Sequence, residues 1–319
     1  MQQTTATAPD APSAATPTAG SAHPDLSTVP RIDFLFLALA VSGVAFSAPL
    51  ISATAAPVLA IAFWRNCIAT GLLSPIALLR QREELRALLS RAGRRTLLTS
   101  LAAGAFLALH FALWLPSLRM TSIASSTALC TTTPLWTTLI LRMRGQRAPK
   151  AVWFGTGIAF AGVLLLTGVD FSLSPRALAG DALALGAGLA ASVYFLLGSS
   201  VRRTVSTTAY TFVCYATTAL VLLVVCLGTG TALGGWSSTA WWQIALLTAA
   251  AQFLGHSLSN RVVRTLGPSL VSSAILLETP GATLIAAVWL GQTPPVAVYP
   301  AVAIVLLGLA FVIRGQRRS

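Results

Sequence analysis

Laid over itself at an offset of 146 residues, the chain repeats: residues 101–162 match residues 247–308 at sixteen positions without a gap. Coincident alanines and leucines mean little in so apolar a sequence. The rarer pairs carry the weight: His110 with His256, Thr133-Pro134 with Thr279-Pro280, and Thr137 with Thr283. Gly145-Gln146 also matches Gly291-Gln292, Pro149 matches Pro295, and Gly162 matches Gly308. A fold that accommodates this chain must build one kind of unit twice.

The unit belongs in a bilayer. Of 319 residues, 55% are hydrophobic and 9% charged, against about 25% charged in soluble domains. Apolar runs of about 20 residues span the hydrocarbon core. Ten are expected, at 33–52, 57–79, 96–116, 121–141, 149–169, 178–200, 207–228, 239–260, 267–290 and 295–313. The fold class is therefore all-α integral membrane, with ten transmembrane helices.

The net charge of +13 invites a nucleic-acid reading, but its distribution excludes one. With the N-terminus inside, eighteen of the 21 basic residues fall in inner segments. Arg119 and Arg176 alone fall outside, and Arg65 lies within a span. That bias orients the protein with both termini in the cytoplasm, and makes anionic lipid a secondary partner. Residues 1–30, rich in Thr, Ala, Pro and Ser, are expected to form a disordered cytoplasmic tail rather than a signal peptide. Cys67, Cys130, Cys214 and Cys226 lie in expected spans without metal-ligand spacing, as packing residues.

Five spans per unit is an odd number, so the second unit starts from the opposite side. The loop at Gly145-Gln146 is basic, whereas its counterpart at Gly291-Gln292 has no basic residue. The expectation is two inverted five-helix repeats, residues 31–172 and 173–315, interlocked in one domain. Gly180, Ala184, Gly188 and Ser192 give span six a face of small residues suited to close helix approach.

Several stretches resemble the drug/metabolite transporter superfamily, specifically its EamA-type members. Leu266-Gly267-Pro268-Ser269, Leu276-Leu277-Glu278-Thr279-Pro280 and Leu290-Gly291-Gln292-Thr293-Pro294 resemble the family's penultimate helix, which often carries Leu-Glu-x-Pro and ends in Leu-Gly-Glu. Thr121-Ser122 through Thr133-Pro134 to Gly145-Gln146 is a weaker cognate, and Phe63-Trp64-Arg65 is similar to the family's second helix. The chain departs from the family in having glutamine, Gln146 and Gln292, after Leu-Gly or its cognate. The resemblance covers about residues 33–313. It implies carrier-mediated movement of small metabolites, often outward, and implies little about which ones.

Few polar groups fall deep in the expected spans, where an ionised side chain costs about 2.5–3.5 kcal/mol even on lenient scales. Glu278, near the centre of span nine, reads either as a hydrogen-bonded structural acid or as a carrier of protons or a cationic substrate group. Arg65 stays charged and needs an acceptor: a substrate carboxylate, Glu278, or helix-end carbonyls. His110 and His256 occupy equivalent positions and suit proton handling or substrate contact. Gln252, Ser259 and Asn260 fall at −4, +3 and +4 from His256, a polar stripe on one helical face. Trp114 stands at +4 from His110, in an aromatic counterpart, and is also placed to meet headgroups. Thr132, in the Thr131-Thr132-Thr133-Pro134 break, and Tyr194 are further candidates to line a path, as are Tyr210, Tyr215 and Trp64. Pro134 and Pro280 are matched breaks, read as static kinks or as paired hinges.

The sequence has no Gly-x-x-x-x-Gly-Lys phosphate loop, no His-Glu-x-x-His and no Gly-x-Ser-x-Gly. The expectation is a secondary active exporter working by alternating access, with a proton exchanging at Glu278. A passive channel-like facilitator and an intramembrane enzyme are the alternatives. The partners expected are a small-molecule substrate, membrane lipid and protons; a homodimer is left open, and no cofactor or metal is expected.

Overall fold

The computed structural model describes residues 30–145, 149–258, 262, 265–266 and 274–316, with the side chains of 167, 170–173, 256–257 and 316 excepted. The described residues form helices and connecting turns. The first apolar run makes α1 (Arg31–Ala45) and α2 (Ser47–Ala53). They part at Phe46, three residues before Pro49, whose missing N–H cannot bond the Ala45 carbonyl. The next is α3 (Val58–Arg80). It carries polar residues at four-residue spacing, and each bonds back along its own helix: Asn66 Nδ2 to the Ala62 carbonyl, the Thr70 hydroxyl to Asn66, the Ser74 hydroxyl to Thr70. Its polarity is thus largely consumed internally, as a lipid environment requires.

A short helix the hydropathy pattern does not announce, α4 (Arg82–Leu89), precedes α5 (Arg94–Ser117). Then come α6 (Ile123–Cys130), α7 (Thr133–Met143), α8 (Lys150–Leu173), α9 (Pro175–Val201) and α10 (Thr207–Gly228). The eighth expected span is α11 (Ser238–Leu247) continued by a π-helical α12 (Thr248–Ser257). The chain ends in α13 (Glu278–Leu290) and α14 (Val298–Gln316). Six runs are each long and apolar enough to cross a membrane: Arg31–Ala53, Val58–Arg80, Arg94–Ser117, Pro175–Val201, Thr207–Gly228 and Val298–Gly315, with Lys150–Leu166 a shorter apolar helix. The N-terminal tail, Gln146, Asn260 and the start of the ninth expected span lie outside the described residues.

Helix pairs form between the two repeats. α3 packs on α10, α5 on α9 and α10, α1 on α12, α6 on α13, and α8 on α14. The α8–α14 contact is the closest in kind to a seam. A Cβ added at Gly162 would stand 2.6 Å from the Val305 nitrogen, and one at Gly308 would strike the Ala159 backbone. At the 146-residue offset Gly162 corresponds to Gly308, and Ala159 to Val305. Each half therefore presents the same glycine to the same position of the other. Along α9 the small-residue face is buried as well: a Cβ at Gly188 would lie 2.9 Å from the Cys130 carbonyl, which brings α9 against the break in span four. Gly145 and Gly291, another matched pair, both take positive φ, 83° and 63°, just past α7 and α13. A left-handed glycine closes each helix.

Candidate functional site

Arg65 lies on the inward face of α3, 3% exposed. Its Nε donates to Gln252 Oε1 of α12 at 3.3 Å. Its guanidinium lies over the Phe111 ring of α5, 4.6 Å from the centroid. Tyr215 of α10 faces the same charge. Glu278, at the start of α13, also acts on the Arg65 charge through space. Four helices thus bring an acceptor, an aromatic face, a phenol and a carboxylate around one cation. Its Nη1 is buried and finds no hydrogen-bond partner among the described residues. No direct Arg65–Glu278 ion pair forms among those residues, so the sequence option in which these two neutralise each other by contact is not the arrangement adopted.

Glu278 is half-buried and stands in the first turn of α13 rather than inside a continuous helix. Span four breaks between α6 and α7 at Thr131-Thr132, and in the second half a turn at Leu276-Leu277, one residue earlier at the 146-residue offset, precedes α13. The sequence places Pro134 and Pro280 as kinks within long helices. The structure differs: each sits in the first turn of a new helix, where no intrahelical N–H bond is required. The carbonyls freed at the first break are taken up locally. Thr131, Thr132 and Thr133 donate their hydroxyls to Ala128, Leu129 and Cys130. Thr132 also accepts from Trp136 Nε1 at 3.2 Å, and Ser192 of α9 donates to the Thr133 carbonyl at 2.9 Å. The two breaks adjoin, since α6 packs on α13. Thr279 is fully buried, with its hydroxyl unpartnered among the described residues.

His110 and Trp114 stack at 5.7 Å on the inward side of α5. His110 Nδ1 meets the Ala187 carbonyl of α9 at 3.0 Å. A carbonyl only accepts, so the tautomer must carry its proton on Nδ1. Trp114 is buried, 6% exposed, with Nε1 unpartnered among the described residues. That corrects its reading as a headgroup anchor. The His256 side chain and Asn260 lie outside the described residues, so the expected stripe is seen only at Gln252. The backbone from Thr248 to Ser257 is π-helical, and its wider turn moves Gln252 off the face that an α-helical spacing of −4 from position 256 assumes. Tyr194 is half-buried beside Tyr210 and Tyr215. Trp64, near the start of α3, donates to the Leu233 carbonyl at 2.8 Å and meets Trp241 edge to face.

Two features escape the sequence reading. Asp181 of α9 is fully buried, as is Asp33 of α1 to within 5%. Asp181 follows Gly180 on the small-residue face, which was the available signal. Glu84 of α4 caps α10, accepting from the Ser206 backbone at 3.0 Å and hydroxyl at 2.6 Å. The two arginines on the sparse side of the charge pattern both have backbone work. Arg119 donates to the Ile51 and Thr54 carbonyls, and Arg176 to the Arg119 carbonyl.

A model of the EamA-like transporter family matches the chain twice, over residues 31–168 and 178–314. No curated protein matches it. A solved structure described as "Crystal structure of protein" shares the fold, with a TM-score of 0.58 at 18% identity over 90% of this chain and 98% of its own.

Proposed function

The chain belongs to the EamA-like transporter family, a multi-pass membrane transporter of small molecules, and we propose that it is a secondary active carrier that exports small organic metabolites or drugs by alternating access. One observation carries this reading. The Arg65–Gln252 hydrogen bond ties the first family match to the second inside the apolar interior. An ionised group retained at that depth costs stability, and its Nη1, unpartnered among the described residues, offers a donor to a substrate acceptor such as a carboxylate. Around it, His110, Trp114, Thr132, Tyr194, Gln252, His256, Asn260 and Glu278 are the substrate and proton pathway residues we propose. Glu278 exchanges the proton. The breaks at Pro134 and Pro280 are the paired hinges about which the halves rock.

We further propose ten spans in two inverted repeats, residues 31–172 and 173–315, with both termini in the cytoplasm and the cell membrane as location. The reciprocal Gly162–Val305 and Gly308–Ala159 approaches support the symmetry, because a two-fold axis brings i against j′ and j against i′. Loop contacts support the sidedness. Glu84 meets Ser206, both assigned inside, and Arg119 meets Thr54 and Arg176, all assigned outside.

Proteoliposomes loaded with a panel of organic cations, anions and zwitterions, with and without an imposed pH gradient, test the function. A carrier gives saturable flux and counter-transport for at least one solute class. Flux that rises linearly with concentration and shows no counter-transport would mean a pore instead.

A further inference from the structure

Outside the polar cluster, a groove of about 530 Å³ opens at the beginning of α5, against α9. Three arginines rim it, Arg91, Arg94 and Arg95, all exposed. No carboxylate or carbonyl among the described residues takes up their guanidiniums. Glu84, on the preceding helix, is committed to Ser206. Below the arginines the lining turns apolar at Leu98, Ala102 and Leu197. From Arg94 to Ala102 is eight residues, about 12 Å at 1.5 Å per residue. The headgroup layer on one side of a bilayer is only about 6 Å thick. The groove therefore starts among headgroups and ends in hydrocarbon.

We propose that this groove is a binding site for one anionic phospholipid, its phosphate held by Arg91, Arg94 and Arg95 and an acyl chain laid over Leu98, Ala102 and Leu197. Guanidiniums match phosphate oxygens in bidentate fashion, and a soluble phosphate would leave the apolar floor unused. The site is separate from the transport cluster and does not depend on which solute is carried.

Native mass spectrometry of the full chain, released from vesicles of mixed phosphatidylcholine and phosphatidylglycerol, tests it. Phosphatidylglycerol should be retained in preference to phosphatidylcholine. Each single change Arg91→Gln, Arg94→Gln or Arg95→Gln should weaken retention about five-fold, the effect of one basic residue at a lipid surface. The double variant Arg142→Gln/Arg144→Gln, at another basic loop, should keep it. Ala102→Trp, which fills the groove and spares every charge, should abolish it. Melting temperatures in pure phosphatidylcholine confirm that each variant is folded. Equal loss in the Arg142/Arg144 variant, retention in Ala102→Trp, or displacement by inorganic phosphate would each overturn the proposal.

Discussion

At the residue scale, Arg65 concentrates the interactions that an apolar interior makes expensive. Its hydrogen bond to Gln252 and its position over Phe111 both use the planar guanidinium, which lysine lacks. Arg65→Lys keeps the charge but should lower initial transport rates about ten-fold or more, with membrane expression unchanged; near-normal flux would make Arg65 a static anchor. Glu278 is near enough to act on that charge but makes no contact with it among the described residues. The double exchange Arg65→Glu/Glu278→Arg is therefore expected to restore nothing that either single change destroys. Glu278→Gln should abolish uptake driven by a pH gradient while counter-transport at symmetrical pH survives. If gradient-driven flux persists in that variant, the proton passes elsewhere.

At the element scale, close helix approach depends on a few glycines. Gly162 and Gly308 sit where any Cβ meets backbone of the partner helix, whereas Gly157 and Gly168, on the same α8, have nothing within 4 Å. Gly162→Ala and Gly308→Ala should each destabilise the purified protein by about 1–3 kcal/mol, the usual cost of overpacking. Gly157→Ala should melt at or above the parent temperature, since alanine favours helix. Melting curves in one detergent decide it. Much of this level was legible beforehand. Apolar run length located α3, α5, α9 and α10, because hydrocarbon leaves a long apolar segment few alternatives to helix. The repeat also paired Gly145 with Gly291, each of which closes a helix at positive φ, and Pro134 with Pro280. Other elements left weaker marks. α4 is short and charged, so hydropathy passes over it. The π-helical turn of α12 is a backbone adjustment that side-chain periodicity assumes away. Asp181 went unnoticed because it lies near an expected span end, where acids are commonplace; its burial follows from packing by α9's small-residue face, which is tertiary.

At the scale of the whole molecule, sidedness links charge, symmetry and mechanism. If the two halves are inverted, equivalent positions must face opposite compartments. Arg147 and Thr293 correspond at the 146-residue offset, the first in a basic loop and the second in a loop without basic residues. Replacing Cys67, Cys130, Cys214 and Cys226 gives a background for single reporters. Three of the four are buried, so the changes should be to alanine or serine and checked by melting. In intact cells a membrane-impermeant maleimide should label Thr293→Cys and leave Arg147→Cys unlabelled until the membrane is opened. The inner link gives a second reporter of the same geometry. Glu84 caps α10 through Ser206, and losing such a cap costs about 1 kcal/mol. In a carrier that alternates, Glu84→Ala should then raise the labelling rate of a cysteine at Ser206 from the cytoplasmic side by up to about five-fold, the factor that 1 kcal/mol sets on a two-state population. In a rigid scaffold, that rate would reflect local fraying alone and would not respond to added substrate. A substrate that slows it in the Glu84→Ala background therefore ties the loop contact to the transport cycle. Labelling of Arg147→Cys and Thr293→Cys from one and the same side would remove the inverted repeat, and the rocking mechanism with it.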